Sequence, residues 1–299
     1  MSIVIINPAS ASGSTGEAWP QIASDLRSQF GPFRALFTKR RGDAGALANE
    51  AARKGAKLII ACGGDGTVSE VANGILSSGK DVELGILPGG TGGDFRRTLE
   101  IPSQSRAAAR ILRTGRTVRI DVGRVSFIEH NGDETMRYFL GVASCGMSTE
   151  VIERVKKRRI SFAASMLQTA LRTEPTHLVV QLDDSQERRL VVSNLCVANA
   201  RYFGGGMKIA PDAKLTDGKF DIIGVGDLST LKIFTSAPRV YLGSHLSMPE
   251  VSHALARKIT IRPAERSAEV ALEVDGELPG RLPATFQIIP EALRVRVNG

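Results

Sequence analysis

Aromatic residues are scarce in this chain: one Trp, three Tyr and eleven Phe, 5% of 299 residues. Proteins that grip single-stranded nucleic acid stack bases on aromatic platforms beside a basic groove. With so few Tyr and Trp, nucleic-acid binding rests on charge alone, and no nucleic-acid partner is expected. Cysteine is nearly as rare. Cys62, Cys145 and Cys196 are odd in number, lie in apolar segments and show no CxxC spacing. They read as buried reduced thiols of a cytosolic protein rather than a disulfide framework. His130, His177, His245 and His253 are scattered, with no pair at helical metal-ligand spacing, which argues against zinc. No apolar run approaches the ~20 residues that span a bilayer. The opening MSIVIINP has no basic n-region and too short an apolar run for a signal peptide. Internal repeats and low-complexity tracts are missing too.

What is present is a globular composition, 42% hydrophobic and 23% charged, in a chain long enough for one large or two ordinary domains. A net charge of +8 admits anionic partners such as nucleotides or an anionic membrane face, as well as a plain solvated basic surface. The segment Val151 to Arg172, VIERVKKRRISFAASMLQTALR, joins Lys156, Lys157, Arg158 and Arg159 to an apolar helical pattern through Phe162, Met166, Leu167 and Leu171. It reads either as a helix lying on a membrane surface or as an ordinary amphipathic helix with a charged end.

The first ~120 residues alternate short apolar runs with helical patterns, as βαβ units around a parallel sheet do. SIVII, RALFT, KLIIA and VELGILP read as strands; EAWPQIASDLRSQF, DAGALANEAARKG and TVSEVANGIL read as helices, and DFRRTLEIP opens a helical turn. From about Val118 strand-like runs dominate: TVRIDVGRV, MRYFLGVAS, HLVVQLD, RLVVSNLCVANA, KFDIIGVG, KITIRP, EVALEVDG and TFQIIP. The expectation is an α/β domain over 1–124, joined by a returning segment 285–299, and a β-rich domain over 125–284.

Three strand-to-loop junctions in the first part are rich in glycine or serine: INPASASGSTG, CGGDGT and PGGTGGDF. In open α/β sheets such loops gather at the carboxyl ends of strands, where ligands bind. In the second junction Thr67 reads as an N-cap and Glu70, three residues on, as its capping-box partner. A helix opening there aims free N–H groups and its positive dipole end at the loop. Glycines let phosphate oxygens approach without a Cβ in the way. Asp65 and Asp94 would repel phosphate unless a divalent cation lies between, and Mg²⁺ takes oxygens from one or two carboxylates plus phosphates. Asp121, alone in the apolar strand VRIDVG, is a candidate third acid or a strand-end turn residue. GILSSGKD, Gly74 to Asp81, fails as a Walker A loop, because Asp81 replaces the Ser or Thr and the segment follows a helix. The GxGxxG fingerprint is absent from the first βα turn, against an NAD-dependent dehydrogenase.

GGDGT at Gly63–Thr67 with PGGTGGDF at Pro88–Phe95 resembles the catalytic domain shared by diacylglycerol kinases, sphingosine kinases and the bacterial soluble lipid kinases. GGDGT alone also resembles loops of NAD kinases and 6-phosphofructokinases. INPASASG, IDVG, the run NARYFGGGMKIAPDAKLTDGKFDI at Asn199–Ile222, LEVDGE at Leu272–Glu277 and the closing IIPEALRVRV match the family in order along the chain. The resemblance implies an N-terminal Rossmann-like nucleotide-binding α/β domain and a C-terminal β-sandwich-like domain, of the NAD kinase/diacylglycerol kinase type. It implies ATP- and Mg²⁺-dependent phosphorylation of a lipid hydroxyl, diacylglycerol or a related lipid, by a cytoplasmic enzyme peripheral to the inner membrane surface. The alternatives are a kinase of a soluble acceptor such as NAD, or a catalytically silent lipid- or nucleotide-binding regulator. Carried over residue by residue, ATP would touch Asn7, Pro8, Ala9, Ser10, Ala11, Thr38, Gly64, Asp65, Gly66, Thr67, Val68, Ser69, Glu70 and Thr91. Asp65, Asp94 and Asp121 would form an acidic magnesium network. Lys214, Asp217 and Lys219 match a separate magnesium site, the lysines through main-chain carbonyls. Glu277 matches the proton acceptor, and Asp275, two residues before it, is carried over with it as a catalytic residue; a bare Asp-Gly hairpin turn explains the same residues. The chain departs from the family at Gly93, where relatives carry Asn, and at Ser148, where many carry an acid. The partners implied are a lipid at an anionic membrane surface; monomer and homodimer both remain open.

Overall fold

The computed structural model describes residues 2–89, 93–147, 149, 175–226, 230–265 and 267–299. The chain divides into two compact units, Met1–Val122 with Pro290–Gly299, and Gly123–Ile289.

In the first unit the apolar runs become parallel strands. β1 (Ser2–Ile6), β2 (Arg34–Phe37), β3 (Leu58–Gly63) and β4 (Glu83–Pro88) lie in the order β4–β3–β1–β2. Ile3 faces Arg34 on one side and Ile59 on the other, and Ile59 faces Leu84. Every residue of β3 and β4 is buried, as expected of parallel strands covered on both faces. The last residues of β15 (Glu277–Val297) pair with β4 in parallel, Arg294 opposite Glu83. The helices are α1 (Ser14–Gln29), which runs through Pro20, α2 (Asp43–Arg53), α3 (Asp65–Ser77), α4 (Asp94–Thr98) and α5 (Ser105–Thr114). α2 and α3 meet through glycines: a Cβ on Gly74 would lie 2.2 Å from the Gly45 carbonyl oxygen. Helix α5 is not among the expected helices, although Ala108, Ala109, Ile111 and Leu112 form a buried apolar face opposite Arg106, Arg110 and Arg113.

The second unit is built from antiparallel strands. β7 (Val142–Gly146), β10 (Asn194–Ala198), β11 (Phe220–Val225), β12 (Val251–Ala256) and β14 (Ala271–Val274) form one run in the order β12–β11–β10–β7–β14, continued by the start of β15. β15 also pairs with β13 (Lys258–Pro263), which carries β8 (Thr176–Leu182) and β9 (Arg188–Val192). β5 (Arg116–Glu129) leaves the first unit and pairs with β6 (Glu134–Phe139) in the second. The core between these strands is seeded by Phe139, stacked on Phe220 at 5.6 Å and edge-on to Phe286 at 6.1 Å. MRYFLGVAS and RLVVSNLCVANA each contain two strands rather than one, separated at Leu140–Gly141 and at Ser193. Strand β12 and helix α6 (Thr230–Leu242) fall where no element was expected. Pro238 inside α6 and the polar face of β12 hide both from a periodicity reading. The basic segment 151–172 lies outside the described residues. Cys62, Cys145 and Cys196 are buried and free, and burial pushes the first two thiols up to about 12.

Candidate active site

Because β1, β3 and β4 are adjacent and parallel, the loops that follow them emerge at one edge of the first unit. Hydrogen bonds stitch these loops together. The Asn7 amide donates to Thr67 Oγ1 at 3.2 Å, and its Oδ1 accepts the Ala9 N–H. Gly64 N–H donates to Ser10 Oγ at 2.9 Å, and the Thr15 hydroxyl donates to the Gly89 carbonyl. Thr38 follows β2 at the same edge, its N–H on the Ile6 carbonyl. Ala11 and Ser12 sit at φ of 52° and 58°, a left-handed backbone that costs about 1–2 kcal/mol per non-glycine residue.

Two of the glycines here serve the protein's own packing. A Cβ on Gly63 would meet Thr67 Oγ1 at 2.4 Å, and one on Gly89 would meet Thr15 at 2.6 Å. Gly66 is different. It lies in the first turn of α3, needs no positive φ, and a Cβ there would meet nothing within 4 Å. With Asp65 it opens the helix, where N–H groups have no intrahelical carbonyl to reach. Thr67, Val68 and Ser69 are buried, so only their main chain could address a ligand.

The capping box is not formed. α3 starts at Asp65 with Gly64 as N-cap, so Thr67 lies inside the first turn. Glu70 turns instead to the neighbouring helix, accepting the Gly42 and Ala44 N–H groups at 3.1 and 3.2 Å and capping α2. The sequence spacing satisfied a local motif, but the close α2–α3 packing offers Glu70 two unsatisfied donors.

Asp65 accepts the N–H groups of Asp94 and Phe95 at 2.9 and 3.1 Å, tying the CGGDGT loop to the start of α4. The Asp94 carboxylate pairs with Arg97 at 2.5 Å. Gly93 precedes them at φ 110°, a conformation that favours glycine. Asp121 is buried on β5 and accepts the Glu291 N–H at 2.9 Å. Among the described residues no three His, Cys, Asp or Glu side chains gather as a metal group; Asp65 meets Asp94 through the Asp94 main chain, and the bond of Asp121 is to Glu291. Asp65 and Asp94 are an all-oxygen donor pair, which fits a hard cation such as Mg²⁺. Thr91 and Ser148 lie outside the described residues.

In the second unit Lys214 and Asp217 are exposed in a loop, and Asp217 Oδ1 accepts the Lys219 N–H at 3.1 Å. Asp217 offers a carboxylate there, the donor type a hard cation takes. Asp275 and Gly276, at φ 49° and 80°, form the two-residue turn between β14 and β15, with Val274 opposite Glu277. Asp275 accepts the Leu140 and Gly141 N–H groups at 3.1 and 2.9 Å. Glu277 Oε2 accepts from Arg137 Nη1 at 3.1 Å. Two participants went unmarked in the sequence: Arg137, and the buried Glu273, which accepts the Ser144 hydroxyl and the Gly276 N–H. Arg137 carried no signal in sequence, but Glu273 did, since acids alternate at 273, 275 and 277.

The diacylglycerol kinase catalytic domain family matches residues 1–125, and the YegS C-terminal NAD kinase beta sandwich-like domain matches residues 141–297. A diacylglycerol kinase of Mycobacterium tuberculosis (strain CDC 1551 / Oshkosh) is 30% identical over 97% of this chain and 93% of its own length. One from Staphylococcus haemolyticus (strain JCSC1435) is 31% identical over 86% of this chain and 77% of its own. This chain belongs to the diacylglycerol kinase family. Its enzyme class is therefore that of a lipid kinase, and its fold is that of diacylglycerol and NAD kinases. Among solved structures, a candidate diacylglycerol kinase from Bacillus anthracis str. Sterne superposes with a TM-score of 0.79 at 26% identity, over 99% of this chain and 96% of that one. Yeast NADH kinase shares the fold at a TM-score of 0.52 and 11% identity, over 99% of this chain and 82% of that one.

Proposed function

We propose that this diacylglycerol kinase family member transfers the γ-phosphate of ATP, with Mg²⁺, to the hydroxyl of a lipid, diacylglycerol or a close relative, at the anionic inner face of a membrane. The observation that carries the nucleotide half is Gly66: neither packing nor backbone requires a glycine there, and its missing side chain leaves room over the N-terminus of α3. Phosphate oxygens approaching that N-terminus meet N–H groups and the positive end of the helix dipole. Asp65 and Asp94 are the residues that would hold the cation, which when bound neutralises charge on the phosphates. Asp65 also fixes the start of α4 through its two N–H acceptors, keeping Asp94 at its place. In the second unit Glu277 is the carboxylate that would take the hydroxyl proton as the new bond forms.

A cavity in the second unit supports a lipid acceptor over a soluble one such as NAD. It measures about 70 Å³ and is lined chiefly by Met147, Phe203, Met207, Ile209, Val240 and Met248. Burial holds the His245 imidazole on its wall below the ordinary value, which keeps the lining uncharged at neutral pH. Such walls suit an apolar group of a few carbons and offer a charged nucleotide nothing. The net charge of +8 would draw the protein to anionic headgroups, each Lys or Arg near the surface adding about 1 kcal/mol.

The test is transfer of labelled γ-phosphate from ATP to diacylglycerol, other dispersed lipids and NAD, with Mg²⁺ and with chelator. Labelled lipid that disappears with chelator and in Asp65→Ala is the expected result. Ala237→Phe, which fills the cavity, should raise KM for the lipid and leave KM for ATP unchanged. Labelled NAD without labelled lipid would sink the lipid reading; nucleotide binding without transfer to any acceptor would favour a silent regulator.

A further inference from the structure

Glu277 sits two residues beyond Asp275 and four beyond Glu273, and each of these three carboxylates has a different kind of partner. Glu273 is buried and holds the turn from inside, accepting the Gly276 N–H at 2.5 Å and the hydroxyl of Ser144 on β7. Asp275 spends both oxygens on the main chain where β6 meets β7, at Leu140 and Gly141, and its own N–H donates to the Val142 carbonyl. A Cβ on Gly141 would lie 2.9 Å from Asp275 Oδ1, so any larger residue there would make the Asp275 carboxylate shift. These bonds fix the main chain that carries Glu277. They leave the Glu277 side chain, with its three rotatable bonds, to be fixed by something else.

We propose that Arg137 is the positioning residue for Glu277, and that Asp275 is a clamp on the turn rather than a group that meets the acceptor. Arg137 stands on β6, opposite Val125 of β5, and reaches Glu277 Oε2 from Nη1 at 3.1 Å. Both side chains are about four-fifths covered, with relative exposures of 20% and 23%. A pair this far withdrawn from water is screened less than a surface ion pair and limits carboxylate rotation. A catalytic group held within a fraction of an ångström reacts far faster than one that wanders, and a displacement of about 1 Å costs on the order of 100-fold. Arg137 acts through Glu277, so its effect exists only while Glu277 has a carboxylate to hold. The inference rests on the reading of Glu277 as proton acceptor.

Four variants test it by phosphoryl transfer to diacylglycerol in mixed micelles: Arg137→Met, Arg137→Lys, Glu277→Gln, and Arg137→Met with Glu277→Gln. Arg137→Met is expected to lower kcat roughly 10- to 100-fold with KM for ATP unchanged, and Arg137→Lys to recover much of the loss. The double variant is expected to be no slower than Glu277→Gln alone, because the two residues act as one unit. Arg137→Met at wild-type kcat beside an inactive Glu277→Gln overturns the role of Arg137 and leaves Glu277 standing. A double variant slowed by the product of both single effects also overturns it, since Arg137 then acts on its own. Full activity of Glu277→Gln overturns the proton-acceptor reading, and the role of Arg137 with it. For Asp275, Asp275→Asn keeps one acceptor for the corner N–H groups. It should lower Tm while retaining kcat within about tenfold; loss of kcat equal to that of Glu277→Gln, without loss of Tm, overturns the clamp.

Discussion

Gly66 separates structural from functional glycine. Gly63 and Gly89 are glycines because neighbouring threonines occupy the space a side chain would need. Gly66 answers to no such constraint. Replacing it by alanine removes glycine's helix penalty of about 1 kcal/mol, so Gly66→Ala should raise Tm while weakening ATP binding, read by calorimetric titration. Loss of both stability and binding would return Gly66 to a packing role. Glu70 makes the opposite case. Its carboxylate caps α2, and Glu70→Ala should cost about 1 kcal/mol of stability with kcat unchanged, measured by denaturant titration beside a kinase assay.

Elements are decided by what they pack against. Within α3, Gly74 is a poor helix former, and propensity alone favours alanine by about 1 kcal/mol. The Gly45 carbonyl 2.2 Å from the would-be Cβ reverses that preference, because backbone of α2 cannot step aside. Gly74→Ala is expected to destabilise by about 1–3 kcal/mol, and a neutral or stabilising result would mean that α2 and α3 separate easily. The turn between β14 and β15 was legible from Asp-Gly alone, and it formed. The capping box was equally legible and did not form: a turn is closed by its own four residues, whereas Glu70 had a competing partner 28 residues upstream in Gly42.

For the whole molecule, the C-terminal strand decides the edge of the first sheet. Arg296 donates to both oxygens of Glu83 on β4, at 2.6 and 2.7 Å, and the Thr117 hydroxyl joins at 2.5 Å. Burial alone pushes Glu83 up, but the hydrogen bonds from Arg296 and Thr117 outweigh it and hold the carboxyl below its ordinary 4.5. A carboxylate depressed in the fold adds stability above its unfolded pKa and loses it as pH falls through the folded one. Wild-type stability should therefore drop below a pH of about 4.5. Arg296→Met strands a buried carboxylate, at a cost of about 3 kcal/mol near neutrality. Its deficit relative to wild type should shrink on acidification, because protonation removes the lone charge. Thermal melts of both proteins across this range check the sign, and a constant deficit would assign the loss to packing alone.

The sequence by itself determined the strand and helix periods of the first unit, the β-rich character of the second, the glycine loops and the order of motifs that identifies the family. Each of these is written in residues close along the chain. Only the tertiary structure decided that Glu70 serves α2, that Asp121 accepts the Glu291 N–H, and that Arg137 donates to Glu277. Those three depend on partners 28, 170 and 140 residues away. A hydrogen-bonding side chain goes to whichever donor the packing brings within 3 Å or so, and local spacing carries no information about that.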